Sequence, residues 1–198
     1  MPPMRRMFRL VSLLLLAFSF LFSDSASLKV AHRATKLNSA SQEQSQWESV
    51  KIRRLRPSDF RELPAHIVKE LERRGCTIPQ VTIEGLDIEK SQNVVSGEFA
   101  RKGQKDWAVL CSRRGHSVIR IFWGRPTKCP SMMGSEPDTA ERYIGTADAK
   151  YILDHYEAYG GPKPPPLHHQ GINDGFAESA SQVRYCYRGK WRVLQGAD

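Results

Sequence analysis

The sequence predicts an α+β domain: a small antiparallel sheet built from two β-hairpins, with two helices packed on it. Apolar residues recur at helical spacing in two stretches, Leu63, Ile67 and Leu71, then Tyr151, Ile152, His155, Tyr156 and Tyr159. Alternating β-rich runs flank a short glycine-containing turn twice, at residues 112–116 and at Arg188 and Gly189. The cysteine count is four and even, which suits a domain stapled by disulfides.

Residues 1–26 read as a secretory signal peptide. Arg5, Arg6 and Arg9 form a positive start, an apolar run from Leu10 to Phe22 follows, and Ser23, Asp24, Ser25 and Ala26 close it. The run is about 13 residues, shorter than the roughly 20 a membrane helix needs. Cleavage after Ser25 places serines at both small-residue positions. Residues 27–54 are rich in Ser, Gln, Lys and Ala without an apolar period, and read as a flexible leader. Residues 55–198 then form a single domain, long enough to bury a core without a metal.

Within that domain, residues 63–75 are predicted helical. Pro64 suits the first turn, Lys69, Arg73 and Arg74 complement the C-terminal dipole, Gly75 suits a left-handed cap and Pro79 prevents continuation. Short strands are predicted over 81–84 and 93–100, with a turn over 101–105. Residues 106–111 and 117–123 form the first hairpin; both its faces carry apolar residues, so it belongs inside a sheet. Residues 124–147, with Pro126, Pro130, Gly134 and Pro137, read as a long loop. The second helix covers 148–159 and stops at Gly160, Gly161 and Pro162. Pro164, Pro165 and Pro166 form a stiff connector, and residues 181–187 and 190–194 form the second hairpin. The two hairpins echo each other, each with a cysteine shortly before an Arg-Gly turn.

In an exported chain the four cysteines pair by default, and four cysteines allow three pairings. The element order favours Cys76 with Cys111 and Cys129 with Cys186. The first ties a helix end to a strand and the second pins a long loop to the C-terminal hairpin. There is no Cys-x-x-Cys spacing, so neither a zinc ribbon nor a thioredoxin-type redox site is indicated.

The formal charge is +9; removing residues 1–26, which hold three arginines and one aspartate, leaves +7. Basic residues concentrate over 101–128, and Arg101, Lys102, Lys105, Arg113 and Arg114 form the candidate basic face. Outside the cytosol its partners are anionic glycans, lipid headgroups or an acidic protein surface, and nucleic acid is not expected.

Residues 97–123, through Gly97, Phe99, Gly103, Asp106, Ala108 and Val109, resemble the FG-GAP repeat of β-propeller proteins. Such repeats hold calcium in an acidic loop. Here the loop over 100–105 lacks carboxylates and leaves Asp106 alone, too few oxygens for a cation that takes six to eight. A further set resembles uncharacterised exported bacterial proteins. It comprises residues 75–79, 106–112 and 159–162, His169, Gln170, Gly171, Ile172, Asp174, Phe176, Ser179, Ala180, Gly189, Trp191 and residues 196–198. That resemblance implies no activity and no site.

For chemistry, His168, His169 and Asp174 are the polar cluster that a hydrolase or metal-binding enzyme would use. Neither His-Glu-x-x-His nor Gly-x-Ser-x-Gly occurs, so no catalytic residue, metal ligand or cofactor is assigned. Cys111 with His116 or His155, the Asp154 and Glu157 pair, and a sugar-stacking platform of Trp107, Trp123, Trp191 and Tyr151, Tyr156, Tyr159 are weaker patterns. The function read from the sequence is an exported, disulfide-stabilised, non-catalytic domain with a basic face for an anionic partner.

Overall fold

A computed structural model describes residues 52–82 and 92–197. The signal peptide, most of the leader and the 83–84 end of the first expected strand lie outside these residues. The described part belongs to the compact unit Val50–Asp198. It is sheet-rich, with ten strands in three sheets and two helices among the described residues, and this overturns the two-hairpin α+β expectation.

In chain order the strands are β1 (Arg54–Leu55), β2 (Ile78–Pro79), β3 (Val94–Gly97), β4 (Asp106–Arg113), β5 (His116–Phe122), β6 (Met132–Pro137), β7 (Arg142–Ala147), β8 (Gly171–Phe176), β9 (Ser181–Tyr187) and β10 (Lys190–Gln195). Helix α1 spans Ala65–Arg73 and α2 spans Ala149–Tyr159. Strands β3, β4, β5 and β6 form one antiparallel sheet in sequence order, and β7, β8, β9 and β10 form another, while β1 pairs with β2.

The three apolar clusters stack the elements as helix, sheet, sheet and helix. On one face of the first sheet, Trp107, Val109 and Cys111 pack against Phe60, Leu63, Ile67, Leu71 and Ile78. On its other face, Ala108, Leu110, Ile119 and Ile121 meet Ile144 and Ile172 of the second sheet. The far side of the second sheet buries Ile152 of α2 against Ala147, Val183, Tyr185 and Leu194. The period-2 alternation of β4 and β5 is what lets one hairpin serve two cores.

Local signals place the helices and the tight turns. Gly75, at φ +69°, closes α1 in a Schellman motif: the Gly75 N–H donates to the Glu72 carbonyl and the Cys76 N–H to that of Leu71. Asp148 caps α2 by accepting the Tyr151 N–H at 2.7 Å. Both expected hairpins exist. Each turns through two residues with positive φ, Arg114 and Gly115, and Arg188 and Gly189, as type I′ turns require.

The expected loop over 124–147 instead contains β6 and β7, and the stretch after the prolines contains β8. The reason is visible in β8: Gly171 to Gly175 are all buried, yet they include Asn173 and Asp174 and two glycines. A buried polar strand carries no apolar alternation. Asp174 is buried because it pairs with Arg142, which is 1% exposed and begins β7. Arg142 Nε donates to Asp174 Oδ1 at 3.0 Å and Nη2 to Oδ2 at 3.1 Å. Its other N–H groups reach the Ser117 carbonyl (3.1 Å), the Ser117 hydroxyl (3.0 Å) and the Gly134 carbonyl (2.7 Å). All five guanidinium donors thus have acceptors.

Those acceptors lie on β5 and β6, so one arginine joins the two sheets. The β5–β6 register shifts between Ser117 and Ile119, a bulge that turns the Gly134 carbonyl toward Arg142. Gly134 has φ +61°, and a Cβ there would stand 2.8 Å from Arg142 Nη2. Arg184 adds a second cation, its Nη2 donating to Asp174 Oδ2 at 3.2 Å. Asn93, buried at φ +70°, completes the seam: Nδ2 donates to the Pro79 and Arg142 carbonyls and Oδ1 accepts the Ile144 N–H.

The two disulfides are Cys76–Cys111 and Cys129–Cys186, the pairing preferred from the element order. The first fixes the end of α1 to β4. The second joins the connection after β5 to β9, and so crosses between the two main sheets.

Removing one partner of a buried ion pair strands the other charge, so Asp174→Ala is expected to lower the unfolding free energy by about 3–5 kcal/mol in urea denaturation. Replacing both partners, as Arg142→Met with Asp174→Leu, is expected to cost less than that single change. Wild-type stability for Asp174→Ala would contradict the buried pair. Opening each disulfide by reduction is expected to cost about 2–4 kcal/mol. Non-reducing peptide mapping should recover Cys76 with Cys111 and Cys129 with Cys186, and any other pairing would contradict the fold.

Candidate functional site

The five basic residues read from the sequence do not form one face. Arg101 and Lys102 occupy the β3–β4 turn and Lys105 directly precedes β4. Arg113 ends β4 and Arg114 sits in the β4–β5 turn. The eight residues of β4 hold the two groups about 25 Å apart. In the first group Arg101 donates to the Pro126 carbonyl at 3.1 Å, and Lys105 Nζ lies 4.8 Å from the Trp107 ring centroid.

The second group gains three arginines that were not assigned from the sequence. Arg73 and Arg74 end α1, which the Schellman turn and the Cys76–Cys111 bridge hold beside the tip of β4. A Cβ built on Gly75 would lie 4.0 Å from Arg113 Nε, which places Arg113 against the end of α1. Arg120 enters from β5. It pairs across from Val109, and His116 pairs across from Arg113, so Arg113, His116 and Arg120 share the face that carries α1.

Charge in this region is unbalanced. Glu70 accepts from Arg73 Nε and Nη2 at 2.9 Å each and from Arg74 Nε at 2.5 Å. These bonds push the Glu70 carboxyl down to about 2, and the same bonds raise Arg73. Among the described residues no carboxylate is within salt-bridge distance of Arg113, Arg114 or Arg120. Nearby Asp138 is committed to Arg54 at 2.9 Å and to the Ser112 hydroxyl. Arg120 Nε is buried and has no acceptor among the described residues. Burial, then the charge of Arg74 and more weakly that of Arg113, push the Arg120 guanidinium below its ordinary value, with Glu70 opposing. An arginine remains charged under such pressure, so this cluster is a fixed positive field with an unused donor.

The His168, His169 and Asp174 region does not converge. Asp174 faces the first sheet and both its oxygens are occupied by Arg142 and Arg184. His169 lies ahead of β8, with Nδ1 2.9 Å from the Gln170 carbonyl, Nε2 3.0 Å from the Cys186 carbonyl, and its ring stacked on Tyr185. His168 is exposed, and its backbone N–H donates to the Tyr185 hydroxyl at 2.9 Å. Among the described residues there is no group of three His, Cys, Asp or Glu side chains placed to hold a metal ion.

The other patterns are also tied up. Asp106, fully buried, accepts from the Phe99 and Ala100 N–H groups, the Gln104 amide and the Gly124 N–H, so it fastens its own turn. Cys111 is a disulfide sulfur, and Asp154 pairs with Lys150. Of the aromatic residues, Trp107 is core, while Trp123 and Trp191 stack with centroids 5.8 Å apart. Tyr151, His155 and Tyr159 run along α2, and the Tyr151 hydroxyl holds the C-terminal segment by accepting the Ala197 N–H at 3.3 Å.

Compared with known protein families, curated proteins and solved structures, the chain matches none. The two disulfides are consistent with an oxidising, exported environment. No helix among the described residues is long and apolar enough to cross a membrane.

The Glu70 carboxyl is lowered in the folded state, so its contribution is present above the ordinary value of 4.5 and is lost as pH falls through about 2. A carboxyl-resolved NMR titration should place the Glu70 midpoint near 2, and Arg73→Gln should raise it. A midpoint near 4.5 in the wild-type protein would show that Glu70 does not hold these two arginines.

Proposed function

We propose that this is an exported, non-catalytic binding domain that docks an anionic partner through the arginine surface at the end of α1 and the β4–β5 turn. The observation that carries this is the charge imbalance: among the described residues Arg113, Arg114 and Arg120 have no carboxylate partner, whereas Arg54, Arg56, Arg142 and Arg184 each have one. Like charges gathered without counter-charge oppose folding, and a bound anion relieves that repulsion. The disulfides support the export part of the reading. The non-catalytic part is supported by Asp106, Asp174, His169 and the four cysteines, whose side chains are held in structural bonds.

The test is binding of the oxidised protein to a sulfated polysaccharide over a range of salt. Affinity should fall as salt rises. The double change Arg113→Glu with Arg114→Glu should weaken binding about tenfold or more, equivalent to roughly 1.4 kcal/mol. Arg101→Glu with Lys102→Glu should change it much less. Binding that is absent, insensitive to salt, or equally weakened by both pairs of changes would overturn the proposal.

A further inference from the structure

We propose that Arg120, together with Arg74 and Arg113, forms a subsite for a tetrahedral oxyanion, the sulfate or phosphate monoester group of the anionic partner. This rests on the reading above and narrows it from a charged surface to one chemical group.

Arg120 differs from the other surface arginines in its surroundings. Its aliphatic stem lies on the face of β5 between Val118 and Phe122, both packed into the core beneath α1. Its Nε is removed from solvent yet donates to nothing among the described residues. Burying an N–H without an acceptor is unfavourable, and a ligand oxygen on Nε would remove that penalty.

The cations come from three separate elements: Arg74 from the end of α1, Arg113 from the end of β4 and Arg120 from the middle of β5. One guanidinium fork satisfies both oxygens of a carboxylate. Donors arriving from three elements suit an anion whose oxygens point in several directions. Arginine rather than lysine at all three positions fits such recognition. Glu70 engages Arg74 from the Arg73 side and bonds neither Arg113 nor Arg120, so those two remain for the ligand. The Cys76–Cys111 bridge joins the residue after the α1 cap to β4, so Arg74 and Arg113 are held together before any ligand arrives.

The experiment follows the Arg120 Nε–H resonance in 15N-labelled, oxidised full-length protein. Sodium sulfate, inorganic phosphate and acetate are titrated separately against sodium chloride at matched ionic strength. Sulfate should move the Arg120 resonance saturably, and acetate and chloride should move it little. Arg120→Lys, which keeps the charge and removes the fork, should weaken sulfate binding about tenfold or more. Lowering the pH from 7.5 to 5 protonates phosphate and leaves sulfate a dianion. A phosphate response kept at pH 5, where phosphate is a monoanion like a sulfate ester, supports a sulfate ester as the group held, and a response lost there supports the dianion of a phosphate monoester.

An Arg120 Nε–H that no oxyanion moves, or that acetate moves as much as sulfate, overturns the subsite. This readout needs only the wild-type chain, so it stands even if Arg120→Lys fails to fold. The two proposals fail separately. Salt-sensitive polysaccharide binding with a silent Arg120 Nε–H removes the subsite alone, and saturable sulfate binding without polysaccharide binding removes the wider reading alone.

Discussion

The architecture depends on a charge that has been taken out of water. Arg142 lies between the two main sheets, and a lone guanidinium there would be prohibitively costly. Asp174 neutralises it from β8, while Ser117 on β5 and Gly134 on β6 accept its remaining hydrogens. Four strands from two sheets must therefore be in register at once. An apolar residue of similar volume would fill the space and bind nothing in particular. The ion pair requires directed acceptors, and the bulge in β6 and the positive φ of Gly134 accompany it. The apolar seam supplies most of the attraction, since each buried Leu or Ile contributes about 1.5–3 kcal/mol.

The disulfides divide the remaining constraints. Cys129–Cys186 ties the connection after β5 to β9, repeating covalently what Arg142 does electrostatically. Cys76–Cys111 acts on the other side of the first sheet. It fastens the segment after the α1 cap to β4, and so holds two of the arginines of the candidate site without relying on their own side-chain contacts. The same bond that stabilises the first core thus prepares the surface. Holding like charges together opposes folding, and a covalent link between their supporting segments is one way a small domain can tolerate it.

Much of the local structure was legible in the chain. The i, i+4 recurrence of Leu63, Ile67 and Leu71 with Gly75 behind them marks α1, and the stripe of Tyr151, Ile152, His155, Tyr156 and Tyr159 ahead of Gly160 marks α2. Both Arg-Gly pairs mark two-residue turns, and the cysteines sit where those elements meet. The missed strands share one property. In β6, β7 and β8, positions that alternation would fill with apolar side chains hold Gly134, Arg142, Asn173 and Asp174. Asn173 and Asp174 beside glycine resemble turn chemistry until their partners are known. The candidate site was half legible: Arg113 and Arg114 stand out in a basic stretch, but Arg74 and Arg120 are remote in sequence and unremarkable in composition.

What the sequence by itself determined is whatever depends on neighbours within a few residues: helix period, cap, turn handedness and the chemistry of each side chain. What only the tertiary structure decided is which charges are neutralised. Asp174 looked available for chemistry and is consumed by Arg142 and Arg184, whereas Arg120 looked like an ordinary solvated cation and is half-buried, its Nε without an acceptor among the described residues. The reason is physical. Hydrogen-bond periodicity is set by the local backbone, but the energy of a charge is set by its distance to every other charge and to water, and folding alone fixes those distances.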